Sequence, residues 1–114
     1  MVTEITREEL RQKLDHPKKT VLLEALSPKE YRQSHLPGAL NMPPDQVRHL
    51  ASDLIPRNDM EVIVYCTGPE CDASDRVAQQ LLTLGYANMR VYKAGKRDWI
   101  SAGLPIVEER QTAA

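Results

Sequence analysis

Apolar positions along this chain alternate between two rhythms, one helical and one extended. Thr6-Arg7-Glu8-Glu9 has the spacing of a capping box, in which a hydroxyl and a glutamate three residues later satisfy each other's free amides. Leu10 and Leu14 follow one turn apart, which predicts a helix from about Arg7 to Asp15, ended by Pro17. Val21-Leu22-Leu23 is a short continuous apolar run and reads as a buried strand. Ser27-Pro28-Lys29-Glu30 is a second cap with proline at the favoured first helical position, opening a short helix that ends near Gln33 or Ser34. The segment from Leu36 to Pro43 has room only for a brief strand near Ala39 and Leu40. A third helix is predicted from Pro44 or Asp45, with Val47, Leu50, Ala51 and Leu54 on one face and Pro56 as its stop.

The second half repeats the alternation. Glu61 to Tyr65 is a strand, and Ser74 to Leu84 is a helix with Val77, Ala78, Leu81 and Leu82 inward and Gly85 as its C-terminal cap. Met89 to Tyr92 is another strand, and a last helix from about Arg97 to Ala102 ends at Gly103 and Pro105. Strands alternating with helices predict an α/β fold, a parallel sheet covered on both faces. No linker or repeat interrupts the pattern, and Glu108 to Ala114 reads as a frayed tail.

Composition narrows the function classes. At 114 residues the chain fits one domain with a real core. That core must be aliphatic, because there is no phenylalanine and only one tryptophan. The formal net charge of -1 leaves no basic face for nucleic acid. Lys93, Lys96 and Arg97 are separated by Ala94 and Gly95, and Lys18-Lys19 stands alone, so both groups read as solvated surface. Met1-Val2-Thr3-Glu4 lacks the regions of a signal peptide, and no apolar run approaches the roughly 20 residues that cross a bilayer. A soluble cytoplasmic protein without membrane partners is the expectation, with its two cysteines as thiols rather than a structural disulfide.

The candidate chemistry lies in Val62-Ile63-Val64-Tyr65-Cys66-Thr67-Gly68-Pro69-Glu70-Cys71-Asp72-Ala73-Ser74. A buried strand delivers Cys66 to a Gly-Pro turn that leads into a helix. A thiolate, the attacking form, is stabilised by loop amides and by the positive end of a helix dipole. A curved run of N–H groups from Thr67 to Ser74 would cradle a sulfur anion, with Gly68 free to take a positive φ and Thr67 and Ser74 adding hydroxyls. The plain alternative is a cysteine packed at a strand end, with Ser74 as a helix cap. A metal site is not expected. Cys66 and Cys71 lack Cys-x-x-Cys spacing, and His16, His35 and His49 belong to separate segments.

Four segments together resemble the rhodanese-like domain family. His35-Leu36-Pro37-Gly38-Ala39-Leu40-Asn41-Met42-Pro43 is similar to its His-x-Pro-Gly-Ala-x-Asn-x-Pro segment. Val62 to Cys66 resembles the strand carrying the active cysteine, and Leu81-Leu82-Thr83-Leu84-Gly85-Tyr86 the end of the following helix. Val91-Tyr92-Lys93-Ala94-Gly95, Trp99 and Ala102-Gly103-Leu104-Pro105 resemble the family's closing pattern. The resemblance implies a single rhodanese-like domain over residues 1–107 and a mostly parallel five-stranded sheet with helices on both faces. It also implies a sulfurtransferase that needs no cofactor. Cys66 would be the catalytic nucleophile, taking sulfane sulfur from thiosulfate or a persulfide donor. Thr67, Gly68, Pro69, Glu70, Cys71, Asp72, Ala73 and Ser74 would form the substrate loop. The persulfide would pass to cyanide, a small thiol or a protein thiol.

The chain departs from that family in ways that keep other readings open. The loop after Cys66 is about two residues longer than in common sulfurtransferases, as in phosphatase or arsenate-reducing relatives. The arginine that closes the loop in those relatives is replaced by Cys71 or Ala73, and Arg76 lies a turn into the helix. Glu70 and Asp72 would raise the Cys66 pKa if they faced it, unless Asp72 caps the helix. Glu24 and Leu26 stand where many relatives carry Asp and Arg, and Glu24 reads as a structural hydrogen-bond partner. Cys71 could close a reversible disulfide with Cys66, which would suit a regulatory or redox-sensing module. His35 reads as orienting the Pro37-Gly38 turn rather than as a base.

Overall fold

A computed structural model of the chain describes residues 2–15 and 20–108. His16, the expected helix stop at Pro17, the Lys18-Lys19 pair and residues 109–114 of the expected tail lie outside the described residues.

Among the described residues, five strands and five helices alternate along the chain. The strands are β1 (Thr3–Glu4), β2 (Thr20–Glu24), β3 (Leu40–Asn41), β4 (Glu61–Tyr65) and β5 (Met89–Tyr92). The helices are α1 (Arg7–Asp15), α2 (Pro28–Gln33), α3 (Val47–Leu54), α4 (Ala73–Thr83) and α5 (Gly95–Ser101). Strand order is β1-β5-β4-β2-β3, and every pairing of these strands is parallel. The strand that carries Cys66 is therefore the middle one. Such a strand is covered on both sides, which is why Val62 to Tyr65 is an unbroken run of fully buried residues.

The two faces have separate cores. Val21, Leu23, Val62, Val64 and Val91 meet Val47 and Ala51 of α3 and Val77, Ala78 and Leu81 of α4. Leu22, Ile63, Tyr65 and Tyr92 meet Leu10 of α1 and Trp99 of α5 on the other side. Strand alternation puts Cys66 with Val62 and Val64, on the α4 face.

Both predicted caps form. Thr6 Oγ1 accepts from the Glu9 amide at 3.2 Å while Glu9 accepts from the Thr6 amide at 3.2 Å. Ser27 Oγ accepts from the Glu30 amide at 3.2 Å, with Pro28 at the first helical position. The differences have local causes. β1, absent from the sequence reading, is two exposed residues held at the sheet edge by main-chain pairing to Arg90 and Val91. α3 begins at Val47 rather than Pro44 or Asp45, because the Gln46 amide is taken by the Pro43 carbonyl in a preceding turn. α5 begins at Gly95 rather than Arg97, drawn back by contacts to the Cys66 loop described below.

The segment from His35 to Pro43 acts as a clamp on the sheet. The Leu36 amide donates to the Tyr65 hydroxyl at 3.0 Å, and the Met42 amide donates to the Glu24 carbonyl at 2.9 Å. Asn41 Nδ2 donates to the Leu26 carbonyl at 2.8 Å, fixing the exit of β2. His35 does not bond to the Pro37-Gly38 turn; its Nδ1 lies 2.8 Å from the Tyr31 carbonyl, its ring stacks on Tyr31, and its backbone pairs with Val107.

Candidate active site

Cys66 follows directly on β4, at the carboxyl end of the sheet, and is 2% exposed. Its thiol donates to the Cys71 carbonyl at 3.3 Å, and Ser74 Oγ lies 3.4 Å from the same sulfur. Ser74 is the second residue of α4 and is 1% exposed. Asp72 occupies the N-cap position but makes no side-chain capping bond, so its carboxylate does not occupy the first amides of α4. Those groups carry the positive end of an 11-residue helix toward the sulfur.

The resting electrostatics oppose ionisation. Burial, first, and the neighbouring Cys71 thiol, second, push the Cys66 pKa above the ordinary cysteine value. The Ser74 hydroxyl and amide pull the other way, because both favour the thiolate. Burial outweighs these two donors, which are nonetheless placed for the anion.

The loop is shaped from outside as well as within. The Cys71 amide closes a turn on the Gly68 carbonyl at 3.0 Å. From α5, the Lys96 amide donates to the Cys66 carbonyl at 2.8 Å and the Arg97 amide to the Thr67 carbonyl at 2.9 Å. This requires close approach at Gly95, whose φ is +77° and where a Cβ would lie 2.7 Å from Gly68 N and from the Thr67 carbonyl. The positive φ expected at Gly68 is not found there; the constraint falls on Gly95 instead, because the second chain segment must come in flush against the loop.

The acidic residues of the loop do not press on the thiol. Glu70 is ion-paired with Arg97, and its own main-chain amide together with that guanidinium holds its carboxyl below the usual range. Asp72 is exposed and lies 3.9 Å from Arg76. A cation does approach. Tyr92 pairs with Tyr65 at the last register position of the two strands, and Lys93 and Cys66 are the residues that follow them. Lys93 is ion-paired with Asp75 of α4, and charge on Cys66 would help hold it protonated.

Of the loop residues singled out from sequence, Cys66, Cys71 and Ser74 come together around one sulfur, and Ala73 packs partly buried against the same core. Thr67 and Gly68 contribute backbone that α5 grips. Pro69, Glu70 and Asp72 are exposed on the outer side of the turn. Sequence reading missed Lys93 and Gly95; the signal for both was their place immediately after the strand that pairs with the cysteine's strand. Lys96, read as solvated surface, is 8% exposed. Its ammonium lies 3.0 Å from Glu24 Oε1 and donates to the Ser34 carbonyl at 2.6 Å. The Tyr65 hydroxyl also donates to Glu24 Oε1, at 2.8 Å. Glu24, fully buried, is therefore a hydrogen-bond partner on the sheet face opposite Cys66, its pKa raised by burial. Leu26 joins the apolar core on the Cys66 side. Among the described residues no three His, Cys, Asp or Glu side chains gather as metal ligands. No helix among the described residues is long and apolar enough to cross a membrane.

Comparison with known proteins agrees with this architecture. Residues 6–102 match the rhodanese-like domain. A sulfurtransferase from Allochromatium vinosum is 32% identical over 107 residues, covering 94% of this chain and 96% of its own length. The BH2092 protein from Bacillus halodurans superposes with a TM-score of 0.85 at 17% identity, over 94% of this chain and 77% of that one. The thiosulfate sulfurtransferase of Pseudomonas aeruginosa gives a TM-score of 0.82 at 26% identity, over 96% of this chain but 21% of that one. The chain belongs to the rhodanese-like domain family, and sulfur transfer is the class of chemistry its relatives support.

Proposed function

We propose that this protein is a sulfurtransferase that carries sulfane sulfur as a persulfide on Cys66. The observation that carries the reading is the buried sulfur held between the Cys71 carbonyl and the Ser74 hydroxyl at the start of α4. Thiosulfate is the donor the reading favours, because one similar protein is a thiosulfate sulfurtransferase. The Cys66 thiolate attacks the outer sulfur of thiosulfate, the S–S bond breaks, and sulfite leaves with the bonding pair. The product persulfide is a monoanion, which N–H and O–H donors can hold without a buried cation. Cyanide, a small thiol or a protein thiol then removes the outer sulfur and returns the thiolate.

Phosphate or arsenate chemistry has less support. A doubly charged oxyanion needs arginine compensation. Arg76 lies 3.9 Å from Asp72 and Arg97 is ion-paired with Glu70, so each guanidinium already faces a carboxylate. A regulatory, redox-responsive module is the second reading, favoured by the second free thiol, Cys71, on the loop that folds back onto Cys66. Formation of thiocyanate from thiosulfate and cyanide tests the first reading: wild type should turn over and Cys66→Ser should not. Equal activity in the two proteins would overturn it.

A further inference from the structure

Cys71 is a nucleophile beside the site that the transfer reaction leaves unused. It is half-buried, its side chain packs against the same apolar core as Cys66, and both thiols are free. The turn closed by the Gly68 carbonyl folds it back so that its own carbonyl lies 3.3 Å from Cys66 Sγ. The two sulfurs also sense each other, since the Cys71 thiol is the second cause of the raised Cys66 pKa.

We infer that Cys71 resolves the Cys66 persulfide from within, releasing the carried sulfur as sulfide and leaving a Cys66–Cys71 disulfide. The inference rests on the sulfurtransferase reading above. The Cys71 thiol passes its proton to the outer sulfur of the persulfide anion as its own sulfur attacks the inner one, Cys66 Sγ, and forms the new S–S bond. The bond between Cys66 Sγ and the outer sulfur breaks, and its electron pair leaves with hydrosulfide. Two cysteine thiols are oxidised by two electrons while one sulfane sulfur is reduced to sulfide, so the donor supplies the oxidising equivalent. A thiol reductant in solution then reopens the disulfide by exchange.

Placement selects the inner sulfur over the outer one. Cys71 packs against the apolar cluster that holds Cys66, with its carbonyl oxygen 3.3 Å from Cys66 Sγ itself. The product differs from peroxide oxidation in its origin, because no disulfide forms until sulfur has been loaded.

The test uses the full chain, reduced and oxygen-free, exposed to thiosulfate and then freed of it with no acceptor present. Wild type should release about one equivalent of sulfide and end lighter by two hydrogens. Cys71→Ser and Cys71→Ala should keep the added sulfur at least tenfold longer and release no sulfide. A wild-type persulfide as long-lived as that of the variants would overturn the inference while leaving the Cys66 carrier reading intact. Loading of wild type but not of either variant would overturn it as well, since Cys71 would then be the loading thiol. Failure of all three proteins to take up sulfur would instead overturn the carrier reading and this inference together. Disulfide in a control without thiosulfate would also contradict it.

Discussion

Gly95 meets Thr67 so closely that a Cβ on the glycine would lie 2.7 Å from the threonine carbonyl. The contact joins two crossovers that emerge from neighbouring strands, and it holds the loop after Cys66 against the start of α5. Both demands fall on one residue: a φ of +77° and no side chain. Gly95→Ala should therefore cost about 2 kcal/mol or more, since the left-handed conformation alone costs about 1–2 kcal/mol for other residues. Chemical denaturation checks it, with a loss of sulfur loading expected beside the loss of stability. An unchanged midpoint would show that α5 does not grip the loop.

Ser74 stabilises the Cys66 thiolate through its hydroxyl and amide, against burial and Cys71. Ser74→Ala removes the hydroxyl alone and should raise the thiol pKa further. Trapping with iodoacetamide as a function of pH reports this directly. The wild-type midpoint should lie above the value of about 8.5 for a free cysteine. Reactivity should climb with pH through that range, and the variant curve should move to still higher pH. A variant curve at the wild-type position would remove Ser74 from the site.

Lys93 follows Tyr92, the sheet partner of the residue before Cys66, and is ion-paired with Asp75. Lys93→Ala should slow loading by the thiosulfate dianion several-fold at low salt. The difference should shrink as ionic strength rises and the Debye length falls to about 8 Å at physiological salt. A salt-independent defect would point to a packing role instead.

Glu24 and Lys96 form an ion pair taken out of water on the face opposite the thiol. Removing one partner leaves the other charge uncompensated, so Lys96→Met should destabilise the fold by about 3–5 kcal/mol at neutral pH. The pH dependence carries the sign. Burial raises the folded-state pKa of Glu24, and without Lys96 it rises further. Between the unfolded and folded values the native state binds the extra proton, so the variant should regain stability as pH falls through the raised folded value. Denaturation midpoints that fall steadily with acid over that interval would contradict this assignment.

Much of the architecture was written in local pattern. The Thr6–Glu9 and Ser27–Glu30 caps, the buried run of β4 and the spacing of Val77, Ala78 and Leu81 depend on neighbours in sequence, and each appears where its chemistry placed it. β1 was illegible because two polar residues paired only through their main chain carry no periodic signal. Cys66, Cys71 and Ser74 were singled out from one continuous loop. Gly95, Lys93 and the burial of Lys96 depend on which segments the parallel register sets side by side, and composition around them reads only as a solvated basic group. The direction of the Cys66 pKa was equally hidden, since it is decided by burial rather than by Glu70 and Asp72.

Intact mass before and after exposure to thiosulfate tests the carrier role of Cys66 most directly, with Cys71→Ser used to preserve the product. That variant should gain the mass of one sulfur atom and lose it on addition of cyanide, and the Cys66→Ser protein should gain nothing. Equal uptake of sulfur by the Cys66→Ser protein would contradict the account.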